Sequence, residues 1–343
     1  MLKTTAILSL LLLASQVQSA DDPWTLNLHF ENDLFANTDL DYTNGVRASW
    51  VSPDLHDFIA DQQQTYDWVN RVNELLQPLH PQLSAQGRVH RNIVVSVGQL
   101  MFTPRDNSKT ELDVSDRPYA GWLYAGFGYQ ARTAQKLHSF EFNIGVVGPA
   151  ALAQQTQNAV HDIRALERFQ GWDNQLHNEL GVQLVFERKR RFRPLPGKYI
   201  FALETDLISH WGGSLGNVAT YLNGGAELRL GWALPKDFGR SSIRPGGDSN
   251  NPGLGNPRHR NWQVHAYLAG DGRAVAHNIF LDGNSFRDSH SVSKKPFVAD
   301  LAVGVSATYQ RWNISYSQVY RTKEFSTQQQ SQQYGSLSVS YSY

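Results

Sequence analysis

The chain of 343 residues contains no cysteine. That excludes thiol catalysis, disulfides and cysteine-based zinc sites, and it suits a chain that crosses an oxidising compartment unfolded. Charge of one sign is also missing, because Lys+Arg and Asp+Glu balance at 31 each. Bulk electrostatics therefore gives no reason to expect nucleic acid as a partner. Long hydrophobic runs are absent too. The mean hydropathy is -0.44, and beyond the N-terminus no stretch approaches the roughly 18 to 20 apolar residues of a membrane-spanning helix.

What is present begins with a secretory signal. Lys3 supplies a positive start, Ala6 to Ala14 forms a short apolar core, and small residues follow at Ser19 and Ala20. The domain organisation expected is a signal peptide over 1–20 and a single unit over 21–343, starting near Asp21 outside the cytoplasm.

The C-terminus carries the strongest structural signal. Leu337, Val339, Tyr341 and Tyr343 share one face of an extended strand, and Ser336, Ser338, Ser340 and Ser342 share the other. The same period of two recurs upstream. Phe140, Phe142, Ile144 and Val146 oppose Ser139, Glu141 and Asn143, while Leu228, Leu230 and Trp232 oppose Glu227 and Arg229. Alternation alone does not say which face is inside, so a soluble sandwich shares the pattern. The signal and the terminal aromatic decide for an all-β fold, a transmembrane antiparallel β-barrel of about twelve strands with its apolar face toward lipid. Strands are expected to begin near 24, 42, 91, 122, 137, 178, 199, 219, 261, 296, 311 and 333. An even count returns both ends to the periplasm. It leaves 31–42, 102–121, 147–177, 210–218, 271–295 and 322–332 outside the cell, and 52–90 and 234–260 on the periplasmic side. Residues 55–77 read as partly helical and 245–257 as irregular.

Three polar clusters fall at the expected extracellular rim. Phe30-Glu-Asn-Asp-Leu-Phe35 and Asp41-Tyr-Thr-Asn-Gly-Val-Arg47 meet at a short hairpin. Their carboxylates, amides and carbonyls are either a polar turn or donors for a hard cation such as Ca²⁺. Asp116-Arg-Pro-Tyr-Ala-Gly-Trp122 reads as a rigid rim or a headgroup contact. Gly148-Pro149 leads into a helix expected over about 150 to 168, as proline suits a helix start. Leu152, Ala159, Val160, Ile163 and Leu166 form its apolar face, with Gln157, His161, Arg164 and Arg168 opposite. His161 is either a surface histidine or a general base. Arg164 and Arg168 suit the phosphates of an acidic substrate. No Gly-x-Ser-x-Gly elbow occurs. The groups present suit water activated by histidine, with a cation at the oxyanion.

These clusters, in this order, resemble the outer-membrane lipid A 3′-O-deacylase family. The segments concerned are FENDLF…DYTNGVR at 30–47, VGQLMFTP at 97–104, DRPYAGWLYAGFGY at 116–129 and QNAVH at 157–161. GWDNQLHNELG at 171–181, LGN at 215–217 and NIFLDGNSF at 278–286 extend the similarity over nearly the whole mature chain. The resemblance implies a twelve-stranded barrel and a Ca²⁺-dependent esterase that removes the 3′-linked acyloxyacyl chain of lipid A. It carries active-site roles onto Asn32, Asp33, Thr43, Gln157 and His161, with Asp33 as metal ligand and Arg105 as a basic substrate contact. The site is then expected on the membrane side of the extracellular rim, with His161 deprotonating water and Gln157 and Thr43 orienting His161 or the substrate. The expected partner is lipid A, or lipopolysaccharide, of the outer leaflet, acted on by a monomer. The rival readings are an outer-membrane phospholipase and a non-catalytic channel or adhesin.

Overall fold

The computed structural model describes residues 23–33, 42–55, 89–192, 199–200, 203–239 and 262–343. The expected signal peptide, the helical stretch at 55–77 beyond residue 55 and the irregular one at 245–257 lie outside these residues. Twelve long strands close an antiparallel barrel. They are β1 (Thr25–Asn32), β2 (Tyr42–Val51), β3 (His90–Phe102), β4 (Ala120–Arg132), β5 (Lys136–Val147), β6 (Glu179–Phe192), β8 (Leu203–Gly216), β9 (Ala219–Trp232), β10 (Gln263–Asn278), β11 (Phe297–Tyr309), β12 (Trp312–Arg321) and β13 (Gln332–Ser342). The two-residue β7 (Tyr199–Ile200) only folds back onto β8. Each strand pairs with its neighbour in sequence, and β1 with β13 and β6 with β8 complete the ring.

Which face is inside is now explicit. On β1, Asn27, His29 and Glu31 are buried in the lumen, while Leu28 is about half exposed on the outer wall. On β13 the alternating serines are buried and Leu337, Val339 and Tyr341 face outward. A soluble sheet would invert this. Hydrocarbon outside tolerates an apolar wall, and a closed ladder leaves no backbone group unpaired in lipid.

The lumen is filled rather than open among the described residues. Arg47 pairs with Glu141 at 2.8 Å. Arg229 bridges Asp206 at 2.6 Å and also Asp237. Arg273 and Arg321 converge on Asp300 at 3.0 and 2.8 Å. Buried charges persist only when partnered in this way. At one rim a short helix, α2 (Ile279–Asp282), turns inward. Its Phe280 stacks on Phe102 at 4.2 Å, and Trp122, Tyr124, Leu176, Val218 and Tyr334 complete an apolar plug in the mouth.

Two boundaries differ from the sequence expectation. Strand β8 runs to Gly216 and β10 to Asn278, so the expected loop 210–218 is largely strand and the first eight residues of the expected loop 271–295 are strand as well. Glycines and short polar residues hid the pattern there, although both faces stay paired. The expected helix over 150–168 is broken. A 3₁₀ turn at Pro149–Ala151 precedes α1 (Ala153–Arg164), with left-handed residues at Leu152 and Ala165 on either side of it.

Candidate active site on the outer wall

The register of four strands builds the floor of the site. Asn32 on β1 lies opposite Asn44 on β2, Asn44 opposite Met101 on β3, and Met101 opposite Gly121 on β4. Residues directly opposite one another point to the same face. That face is the outer wall, because the same columns continue through Leu28, Val46, Val97 and Phe127, all well exposed. Yet Asn32 and Asn44 are each only 3% exposed, and Met101 1%. Something covers this rung on the outside.

Over Met101 and Gly121 the cover is the 148–178 loop. Gly121 has room for no side chain: a Cβ there would come within 2.5 Å of the Cβ of Ala153. Gln99 donates to the Ala151 carbonyl at 2.6 Å, and Leu176 N–H to Tyr119 O at 2.9 Å. Met101, Tyr119, Ala153, Phe169 and Trp172 form one apolar cluster between wall and loop. Burial pushes the Tyr119 hydroxyl up to about 12, so this wall of the site stays neutral.

Helix α1 thus lies against the outside of the barrel with its faces inverted. Ala153, Gln157 and His161, spaced by four, are buried against the wall. Leu152 and Leu166 are exposed, and Ile163 is 85% exposed. A soluble helix would do the opposite; beside a bilayer, the apolar face belongs outward.

His161 is 1% exposed, and its Nδ1 lies 2.5 Å from the Glu167 carbonyl. A main-chain carbonyl only accepts, so Nδ1 carries the hydrogen and Nε2 is the basic nitrogen of the neutral ring. Phe169 meets the ring edge-on at 5.6 Å. The Gln157 Oε1 accepts from the Trp172 indole N–H at 2.9 Å. That contact fixes the amide, and its buried Nε2 has no hydrogen-bond partner.

The remaining candidates divide. Asp33 is fully buried in a 3₁₀ turn directly after Asn32. Thr43 sits at a register shift between Tyr42 and Asn44, and its side chain, like 34–41, lies outside the described residues. Arg168 does not share the His161 face: it lies beyond the helix end, exposed, with its guanidinium on Asp162 at 2.6 Å. Arg164 is exposed at the last turn. Arg105 is directed to Gln329 at 3.1 Å, on the loop between β12 and β13. His161 is held at Nδ1 by the Glu167 carbonyl.

Sequence reasoning gave no role to Gly121 or Trp172, and placed Asn44 only among the possible cation donors of its hairpin, without singling it out. The signal for Asn44 was there. Asn44, Val46, Ala48 and Trp50 form one lipid-facing column, and an amide is out of place in it.

A closed twelve-stranded antiparallel barrel with an apolar outer wall, carrying a loop helix on that wall, defines an outer-membrane β-barrel protein. The chain belongs to the family described as outer membrane protein LpxR, whose model matches residues 4–343. Among solved structures it is similar to LpxR from Salmonella typhimurium. That match has a TM-score of 0.70 and 19% identity, covering 93% of this chain and 100% of the other. The β domain of the Bordetella autotransporter BrkA matches at a TM-score of 0.41 and 10% identity, over 94% of this chain and 99% of that one. No curated protein sequence matches significantly.

Proposed function

We propose that the chain hydrolyses the 3′-linked acyloxyacyl ester of lipid A, with water activated by His161. The observation that carries this reading is His161 itself, buried on the lipid side of the barrel with Nδ1 committed to the Glu167 carbonyl. A histidine placed there meets no aqueous lumen. It meets an ester presented from the outer leaflet. On this reading the rim bearing α1 is extracellular.

The steps follow from the atoms present. His161 Nε2 takes a proton from water as the water oxygen attacks the ester carbonyl. The Gln157 Nε2, held in place through Trp172, donates to the oxygen that becomes an oxyanion. When the carbon–oxygen bond to the sugar breaks, the His161 imidazolium returns the proton to the leaving alkoxide. The products are a free fatty acid and a hydroxyl on the sugar. Thr43 orients the attacking water or the substrate.

Asp33 and Asn32 fit a hard divalent cation, since the pair offers only carboxylate and amide oxygens as side-chain acceptors, buried together at one hairpin mouth. Ca²⁺ bound there supplies Lewis-acid polarisation of the ester carbonyl. Arg164, at the exposed end of α1, contacts a lipid A phosphate, with Arg168 released from Asp162 as a second contact. Arg105 reaches the sugar headgroup from the neighbouring loop.

The test is mass spectrometry of lipid A from cells with and without the protein. The expected result is a product lacking the whole 3′-linked acyloxyacyl group. Unchanged lipid A beside hydrolysed glycerophospholipid would transfer the assignment to a phospholipase.

A further inference from the structure

We propose that Asn44 is a cation ligand of the outer-wall site, its side-chain carbonyl joining the Asp33 carboxylate in an all-oxygen set for Ca²⁺. The inference rests on the reading above, that Asp33 holds Ca²⁺, and singles out one amide of that hairpin as its partner ligand.

Three observations lead there. Asn44 occupies the lipid-facing column of β2, followed by Val46, Ala48 and Trp50. A neutral amide in that column gains nothing from hydrocarbon and is expensive to leave unsatisfied. Second, Asn44 is 3% exposed and its Oδ1 makes no hydrogen bond. Buried side-chain acceptors without a partner are rare in folded proteins and each one calls for an explanation. Third, the register sets Asn44 directly opposite Asn32, the residue before Asp33. The other residues of the rung, Met101 and Gly121, carry no side-chain donor that could satisfy it.

The strip also holds an orphaned donor among the described residues, Gln157 Nε2. Acceptor and donor both stay open among the described residues. Such a strip is complementary to a guest with a positive and a negative end. A cation at Asn44 and Asp33, and an ester oxygen at Gln157, supply those ends. Amide carbonyls are ordinary ligands of hard divalent cations and add an oxygen without adding charge. The register shift between Tyr42 and Asn44 re-aims this end of β2, as bulges next to functional sites do.

The experiment is calorimetric titration of Ca²⁺ alone into the full chain folded in detergent, for the wild type, Asn44→Leu and Asn44→Asp. Asn44→Leu keeps the size and removes the oxygen, and should weaken Ca²⁺ binding at least about tenfold. Asn44→Asp keeps the oxygen and adds charge, and should bind as tightly as the wild type or more tightly. Unchanged affinity in Asn44→Leu overturns the ligand assignment and leaves the deacylase reading intact. If Asn44→Leu does not fold, Asn44→Asp decides, and weaker binding than the wild type overturns the assignment. A wild type that binds no Ca²⁺ overturns the assignment together with the role of Asp33. A wild type that binds Ca²⁺ but releases no acyl chain from lipid A overturns the deacylase reading alone.

Discussion

At the residue scale the decisive feature is the burial of His161. An exposed loop histidine could be exchanged at little cost, but this one donates to the Glu167 carbonyl and packs on Phe169. Replacement by alanine would leave that carbonyl with an empty partner and mix catalytic with structural loss. His161→Gln retains a donor and removes the base. It should lower acyl release from lipid A by about 10² to 10⁴-fold, with the barrel still migrating as a folded species. His265, buried in the lumen on β10, is the control, and His265→Ala should keep most of the activity. Near-normal turnover in His161→Gln would place the base elsewhere. That Gln157 and His161 share one helical face was legible from their spacing of four. The partner of each ring and amide was not, because Glu167 and Trp172 reach them only after the chain turns back beyond Ala165.

At the scale of elements, the loops at the rim bearing α1 are tied to the barrel by buried charge. Arg117, just before β4, donates to Glu324, just after β12, at 2.8 Å, and neither is solvated. Burial alone would raise the Glu324 carboxyl, but the guanidinium groups of Arg117 and Arg321 outweigh it and hold it below its ordinary value. A depressed carboxyl contributes stability that is fully present above its unfolded value, about 4.3. That contribution is lost as pH falls through the lower folded value. The rim loops should therefore become protease-sensitive in acid while the strands remain protected, a difference visible by hydrogen exchange. Glu324→Gln should produce the same loosening at neutral pH, costing about 3 to 5 kcal/mol, because buried Arg117 loses its carboxylate partner. A variant as protected as the wild type would show that the aromatic contacts of Arg117 with Phe102 and Phe325 hold the loop unaided. None of this pairing was readable beforehand, since Arg117 and Glu324 are separated by 207 positions.

At the scale of the whole molecule, the barrel is filled among the described residues, which suits a scaffold for the proposed external site. Ion pairs cross its lumen, and Phe280 and Phe102 close the mouth. Planar bilayers containing the folded protein should show no steady ion conductance, and a stable open channel would contradict the plug. On the deacylase reading, excess chelator should abolish acyl release while the heat-modifiable gel shift persists, because Ca²⁺ enters the chemistry and not the closure of the sheet. Loss of the gel shift on chelation would make the cation structural.

Much of the architecture was determined by sequence alone. Strand positions, their even number and the polar lining of the barrel all follow from alternation, because a sheet buried in lipid on one face and packed on the other repeats every two residues. The candidate residues Asn32, Asp33, Thr43, Gln157 and His161 were marked as polar groups at turns and on one helical face. Only the tertiary structure decided where that face points. Helix α1 shows an apolar and a polar stripe, and in water the apolar stripe would be buried. The close approach of Ala153 to Gly121 seats the helix on the outer wall, beside hydrocarbon, and there the polar stripe is the one enclosed. Strand pairing likewise brings Asn44 onto the rung of Asn32, where both are buried, because the register between strands and the docking of a loop on a wall are not periodic properties of the chain.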